Sequence, residues 1–107
     1  MREPTYFLLL ALTDGPRHGY GIAQRAAELS EDRVKLTAGT LYGALDRLVG
    51  SAQITVDRED TVNGRRRRYY RLTEGGRRAL VDETVRLRAT VTAAERLIGP
   101  EVGGAQA

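Results

Sequence analysis

The stretch whose reading decides the fold is Asn63–Leu72, NGRRRRYYRL. Arg65 to Arg68 are four consecutive cations, followed by Tyr69, Tyr70 and Arg71. Like charges at that density need a polyanion or full exposure to solvent, yet Tyr69, Tyr70 and Leu72 favour a strand over a disordered basic tail. Asn63-Gly64 is a hairpin signal, because both residues tolerate positive φ at little cost. Ile54 and Val56 are the apolar members of the incoming strand, and Tyr70 and Leu72 those of the outgoing one. Side chains alternate with period two, so these share a face when Ile54 opposes Leu72 and Val56 opposes Tyr70. Carried on without interruption, that register sets Thr61 against Arg65 and leaves a three-residue loop, Val62-Asn63-Gly64. It also sets Arg67 against Glu59 and leaves Arg65, Arg66 and Arg68 crowding the tip. The result is a two-stranded ribbon with a cationic end.

Around the ribbon lie 107 residues, a length for one domain that buries roughly two-thirds of its unfolded surface. The net charge of +3 hides an asymmetry: residues 65–78 hold seven arginines against Glu74 alone, which is +6 there and leaves −3 elsewhere. The basicity is one patch, the electrostatic footprint of a polyanion binder. The absence of cysteine excludes disulfide and thiolate chemistry and fits a cytoplasmic location. The apolar run Tyr6–Leu12 is too short to span a bilayer, and the Thr13-Asp14-Gly15-Pro16 that follows is no signal-peptide cleavage site, so no membrane partner is expected. One histidine and no paired carboxylates leave no acid/base or nucleophile constellation, and no enzyme is expected.

In chain order, Tyr6–Leu12 reads as a helix apolar on every side, with more apolar surface than one small core can cover. Pro16-Arg17-His18-Gly19 is a turn into a helix over about Tyr20–Leu29, where Ile22, Ala26 and Leu29 share a face. Val34 and Leu36 alternate with polar residues, which predicts a short extended segment beside the ribbon. Thr37 is the expected N-cap of the next helix, with Leu41, Leu45 and Leu48 facing the core. Its opposite face presents Thr40, Gly43, Asp46 and Arg47, with Tyr42 flanking; small side chains there let a helix backbone approach a major groove.

After the ribbon, Thr73-Glu74 caps a long helix to about Ile98, closed by Gly99-Pro100. Leu80, Thr84, Leu87, Val91, Ala94 and Ile98 form a heptad-like seam along it. Two apolar surfaces thus remain once the core is filled, and a homodimer is expected through Tyr6, Leu9, Leu10, Leu80, Leu87, Val91, Ala94 and Ile98. Residues 1–73 form a winged helix-turn-helix, 74–99 a dimerisation helix packed on it, and 100–107 a flexible tail. The fold class is mostly α with a small β-hairpin wing.

GPRHGYGI (Gly15–Ile22), GTLYGALDRL (Gly39–Leu48) and GRRRRYYRLTEGGRRAL (Gly64–Leu80) together resemble the PadR family of bacterial transcriptional regulators, in its short form with a single C-terminal helix. The resemblance covers about residues 6–98. It implies a homodimer that binds an imperfect palindrome in double-stranded DNA near a promoter, as a repressor released by an effector. It places Tyr42 and its neighbours on the recognition helix and the GRRRRYY strand in the wing. Gly43 stands where the family often carries a larger residue such as arginine. The helix Glu74–Ile98 has no aromatic residue of the kind that holds flat drugs in some short members.

The expected DNA contacts are therefore Thr37, Thr40, Tyr42, Gly43 and Arg47 on the helix and Arg65, Arg66 and Arg68 on the wing. Four charges at a hairpin tip exceed what blocking an edge strand requires. The alternative function is a winged-helix adaptor that binds protein and not DNA, which Gly43 favours and the wing arginines oppose. No cofactor is required, and a small molecule is expected over a metal as effector. His18 is the single candidate metal ligand, but no His/Cys spacing supports it, and capping the second helix is its expected role.

Overall fold

The computed structural model describes residues 1–105. The order is α1 (Glu3–Leu10), β1 (Arg17–His18), α2 (Gly19–Leu29), α3 (Ala38–Gly50), β2 (Ile54–Val62), β3 (Arg65–Leu72), α4 (Glu74–Ile98) and α5 (Pro100–Ala105). The strands form one antiparallel sheet in the order β1-β3-β2. This is the winged helix-turn-helix with a long C-terminal helix that the sequence predicts.

One core holds the elements together. Leu8, Leu9, Ile22, Ala26, Leu41, Leu45, Leu48, Ile54, Tyr70 and Leu80 are all buried in it. Three helices are capped as their sequences suggest. Thr37 accepts the Thr40 N–H for α3, Thr73 accepts the Gly76 N–H for α4, and His18 Nδ1 accepts the Gly21 N–H for α2. Helix α1 stops at Leu10, two residues short of the expected end. The carbonyl of Ala11 beyond it is satisfied by Arg17 Nε at 2.9 Å.

The ribbon's partner strand is Arg17–His18, which pairs Arg17 with Tyr70 and His18 with Tyr69. The expected segment at Val34–Leu36 makes no strand. The Val34 N–H is already taken by the buried Ser30 Oγ at 2.9 Å, in a turn carried by positive φ at Glu31 and Asp32, and Val34 plugs the core from there.

The ribbon register corrects a second expectation. Ile54 opposes Leu72 and Val56 opposes Tyr70, as alternation requires, but a β-bulge between Val56 and Arg58 then shifts the pairing by one residue. Beyond it Glu59 opposes Arg68, Asp60 opposes Arg67, Thr61 opposes Arg66 and Val62 opposes Arg65. The loop is therefore two residues, Asn63 at φ 52° and Gly64 at φ 77°, a turn whose twist matches the flanking strands. The additional residue, Asp57, turns its carboxylate to Arg58 Nη1 at 3.4 Å and Arg71 Nε at 3.6 Å.

Helix α4 leaves the domain after its first turns. Gly76, Leu80 and Glu83 are buried against the rest of the chain, whereas Val85, Leu87, Val91, Ala94, Leu97 and Ile98 are exposed. Over 25 residues it is about 37 Å long, at about 1.5 Å per residue, within a molecule whose greatest extent is 55 Å. Where a flexible tail was expected, Pro100–Ala105 forms the short helix α5; the rest of that expectation, 106–107, lies outside the described residues.

Candidate nucleic-acid interface

Helix α3 and the ribbon are brought side by side because Leu41, Leu45 and Leu48 bury one face of the helix while Ile54 and Tyr70 bury one face of the sheet in the same core. An open groove of about 780 Å³ runs between them, lined by Tyr42 and Asp46 of α3, by His18, Gly19 and Tyr20 at the start of α2, and by Glu59 and Arg65–Arg68 of the ribbon.

Tyr42 is half-exposed and its ring rests on Gly19, where an added Cβ would lie 2.8 Å from Tyr42 Cε1. Gly19 is thus the seat of Tyr42, which the sequence alone does not reveal because the two are far apart in it. Thr40, Gly43 and Arg47 continue around the outward face of α3, away from the groove lining. Thr37 Oγ1 lies 3.1 Å from Thr40 Oγ1. Arg47 folds back along the helix, its Nη1 3.6 Å from where a Cβ on Gly43 would be. Arg47 thus lies alongside the open position at Gly43.

The bulge decides which wing arginines are engaged. Glu59 contacts Arg66 through Oε2 and holds Arg68 Nε at 3.3 Å through Oε1, while Asp60 pairs with Arg58 at 3.0 Å. Among the described residues, Arg65 and Arg67 have no carboxylate partner. The expectation that Glu59 occupies Arg67 is therefore reversed, because the shifted register turns Glu59 toward Arg66 and Arg68. These ion pairs are exposed and weak, so they lower local charge without locking it.

Tyr69 and Tyr70 divide as alternation requires. Tyr70 is buried; burial pushes its phenol above the ordinary value while Arg68 pulls the other way. Tyr69 is half-buried, with the Arg58 guanidinium 4.1 Å over its ring and the His18 ring edge-on at 5.6 Å. His18 spends one ring nitrogen on Gly21 and turns the other to the Arg67 guanidinium, poor surroundings for a metal ion. Burial, then the Arg67 charge, holds its pKa below the ordinary value.

The expected dimer residues separate into two groups. Leu9 and Leu80 are buried within the chain's own core, so they do not form an exposed face, because α1 packs flat on the first turns of α4. Tyr6 is held there too, its hydroxyl 2.6 Å from Thr84 Oγ1, which itself donates to the Leu80 carbonyl. Leu10 is partly covered, whereas Leu87, Val91, Ala94 and Ile98 stand exposed. No helix among the described residues is long and apolar enough to cross a membrane.

This arrangement has close counterparts. Transcriptional regulator Rv3488 of Mycobacterium tuberculosis is 39% identical over 70 residues, which span 65% of this chain and 62% of that protein. A PadR family transcription regulator from Clostridium difficile superposes with a TM-score of 0.75 at 25% identity, over 92% of this chain and all of that one. Bacillus subtilis PadR, solved in complex with operator DNA, superposes with a TM-score of 0.69 at 25% identity, over 78% of this chain and 48% of that one. The model of the transcriptional regulator PadR-like family matches residues 8–82, the span that contains the whole groove, α3 and the wing. The chain belongs to the PadR-like family of transcriptional regulators.

Proposed function

We propose that the chain acts as a dimeric, sequence-specific DNA-binding repressor. Helix α3 enters the major groove and reads base edges with Thr40, Tyr42 and Arg47; the wing arginines hold the flanking backbone. The observation that carries this reading is the single groove in which Tyr42 of α3 faces four ribbon arginines. A helix that presents Thr40 and Gly43 outward beside a cationic ribbon suits a duplex-reading surface, because small side chains admit the helix to a groove and the arginines meet phosphate. The relative from Bacillus subtilis, solved on operator DNA, supports it.

Dimerisation rests on the exposed Leu87, Val91 and Ile98 of α4, an apolar row that water disfavours. Twofold symmetry then implies a palindromic site with half-sites about one helical turn apart, roughly 34–36 Å. We propose a small molecule, in preference to a metal, as the effector that releases it.

Selection of bound duplexes from a random pool by the purified protein tests the reading. The expected result is an inverted repeat; recovery of no motif, or no retained DNA, overturns it. In the selected site, alanine at Thr40, Tyr42 or Arg47 should reduce discrimination against random DNA by about 1–3 kcal/mol per lost base contact. An equal loss on both DNAs would assign these residues to backbone positioning.

A further inference from the structure

His18 sits at the junction of β1 and α2, and its two ring nitrogens have different neighbours. Nδ1 accepts the Gly21 N–H at 3.1 Å, so it carries a lone pair and the neutral ring holds its proton on Nε2. Nε2 lies 3.5 Å from Arg67 Nη1, a guanidinium nitrogen that has N–H groups and no lone pair to offer. The two face each other donor to donor, and neither satisfies the other.

Several contacts fix this geometry. The Tyr69 ring meets the imidazole edge-on, and the imidazole lies over Gly21, where a Cβ would be 3.4 Å from its Cε1 and Nε2. Arg67 is left without a carboxylate by the bulge, which hands Glu59 to Arg66 and Arg68 while Asp60 pairs with Arg58. Two nitrogens at this separation can both donate to one oxygen about 2.9 Å from each. Both lie in the groove that Tyr42 and the other wing arginines line.

We propose that the His18 Nε2–H and the Arg67 guanidinium form a two-donor seat for one backbone phosphate oxygen of duplex DNA. The proposal rests on the DNA-binding reading above and deepens it. The remaining arginines of the groove supply the continuous positive surface that a chain of phosphates needs and a lone small anion does not. The seat works with a neutral imidazole. Adding a proton at Nδ1 would evict the Gly21 N–H and uncap α2, so His18 contributes a directed donor and Arg67 the charge. One bound phosphate ties the wing to the start of α2 and sets how α3, which follows, lies on the duplex. Such a contact fixes register and carries no sequence information itself.

The test separates capping from phosphate binding. In His18→Asn the shorter side chain keeps a strong N-cap acceptor but cannot reach the phosphate. Affinity for a random-sequence duplex is measured against salt for wild type, His18→Asn, Arg67→Ala and the double variant. His18 is also the one histidine of the chain, so its imidazole nitrogen resonances report the seat without overlap.

The seat requires roughly tenfold weaker duplex binding in His18→Asn with unchanged melting. Arg67→Ala should lower the slope of log affinity against log salt by about 0.9 for each seat lost. The double variant should lose less than the product of the single losses. The free protein should show the proton on Nε2, and duplex should shift that resonance. Wild-type affinity in His18→Asn, or losses that multiply independently, overturns the seat. If His18→Asn melts early, the resonance decides alone, and no shift on adding duplex overturns the proposal. An equal shift with inorganic phosphate at matched ionic strength makes the seat a free-anion site and overturns its assignment to DNA. A wild type that binds no duplex is a different failure: it sinks the DNA-binding reading, and the seat with it.

Discussion

The Glu59 carboxylate lies across the ribbon from Arg68, with Oε1 3.3 Å from Arg68 Nε and its other oxygen in contact with Arg66. One acidic residue thus offsets two of the four tip arginines. Arg65→Ala should lower the salt slope of DNA binding by about 0.9 per lost phosphate contact, whereas Arg66→Ala should lower it less, because Glu59 already partly compensates that charge. Glu59→Gln should steepen the slope. The measurement is a salt titration on a random duplex; equal slopes for the Arg65 and Arg66 variants would show that Glu59 does not discriminate between them.

Leu87 and Val91 are exposed on the part of α4 that lies beyond its buried residues Gly76, Leu80 and Glu83. Lysine at both positions should convert the proposed dimer to a monomer without unfolding the winged domain, whose core they do not enter. Sedimentation should show the change in mass, with circular dichroism retained. A wild-type protein that sediments as a monomer at micromolar concentration contradicts the assignment.

Gly76 is where α4 meets the end of α3's following loop. A Cβ there would collide with the Gln53 carbonyl oxygen and lie 2.8 Å from Leu72 Cδ1. Backbone cannot yield as a flexible side chain does, so Gly76→Ala should cost at least about 1–3 kcal/mol, the usual range for overpacking. Gly39→Ala meets nothing within 4 Å in the first turn of α3 and should instead stabilise by about 0.4–1 kcal/mol through the unfolded chain. Thermal melting of the two variants should move in opposite directions.

Glu83 is buried at the root of α4, and Arg86 grips it through Nε at 2.9 Å and Nη2 at 2.6 Å. These hydrogen bonds hold its carboxyl down to about 2 from an ordinary 4.5. The native state therefore binds this proton less readily than the unfolded chain does. The stability that the carboxylate contributes is complete above pH 4.5 and is lost as pH falls toward about 2. Glu83→Gln should flatten the dependence of stability on pH within that window. Denaturant titrations of both proteins at several acidic pH values will show it; parallel curves would mean that Glu83 is not the group responsible.

Much of the architecture was legible along the chain. Leucines at helical spacing marked the buried face of α3, Thr37 and Thr73 marked two helix starts, and alternation placed Tyr70 inward and Tyr69 outward. Each of these is a local relation, decided within a few residues by periodicity and capping. The arginine run located the candidate site for the same reason, since charge density is a property of sequence.

What tertiary structure alone decided is which of those residues meet. The bulge at Asp57 moved every pairing beyond it by one residue, and a period-two pattern cannot announce an inserted residue in a strand that is exposed on both faces. Nor could spacing show that Leu9 and Leu80 are spent on the chain's own core, that Arg17–His18 is the third strand, or that Gly19 seats Tyr42. Such partners lie tens of residues apart, and their contacts follow from how the helices and the sheet pack around one shared core, which no local pattern encodes.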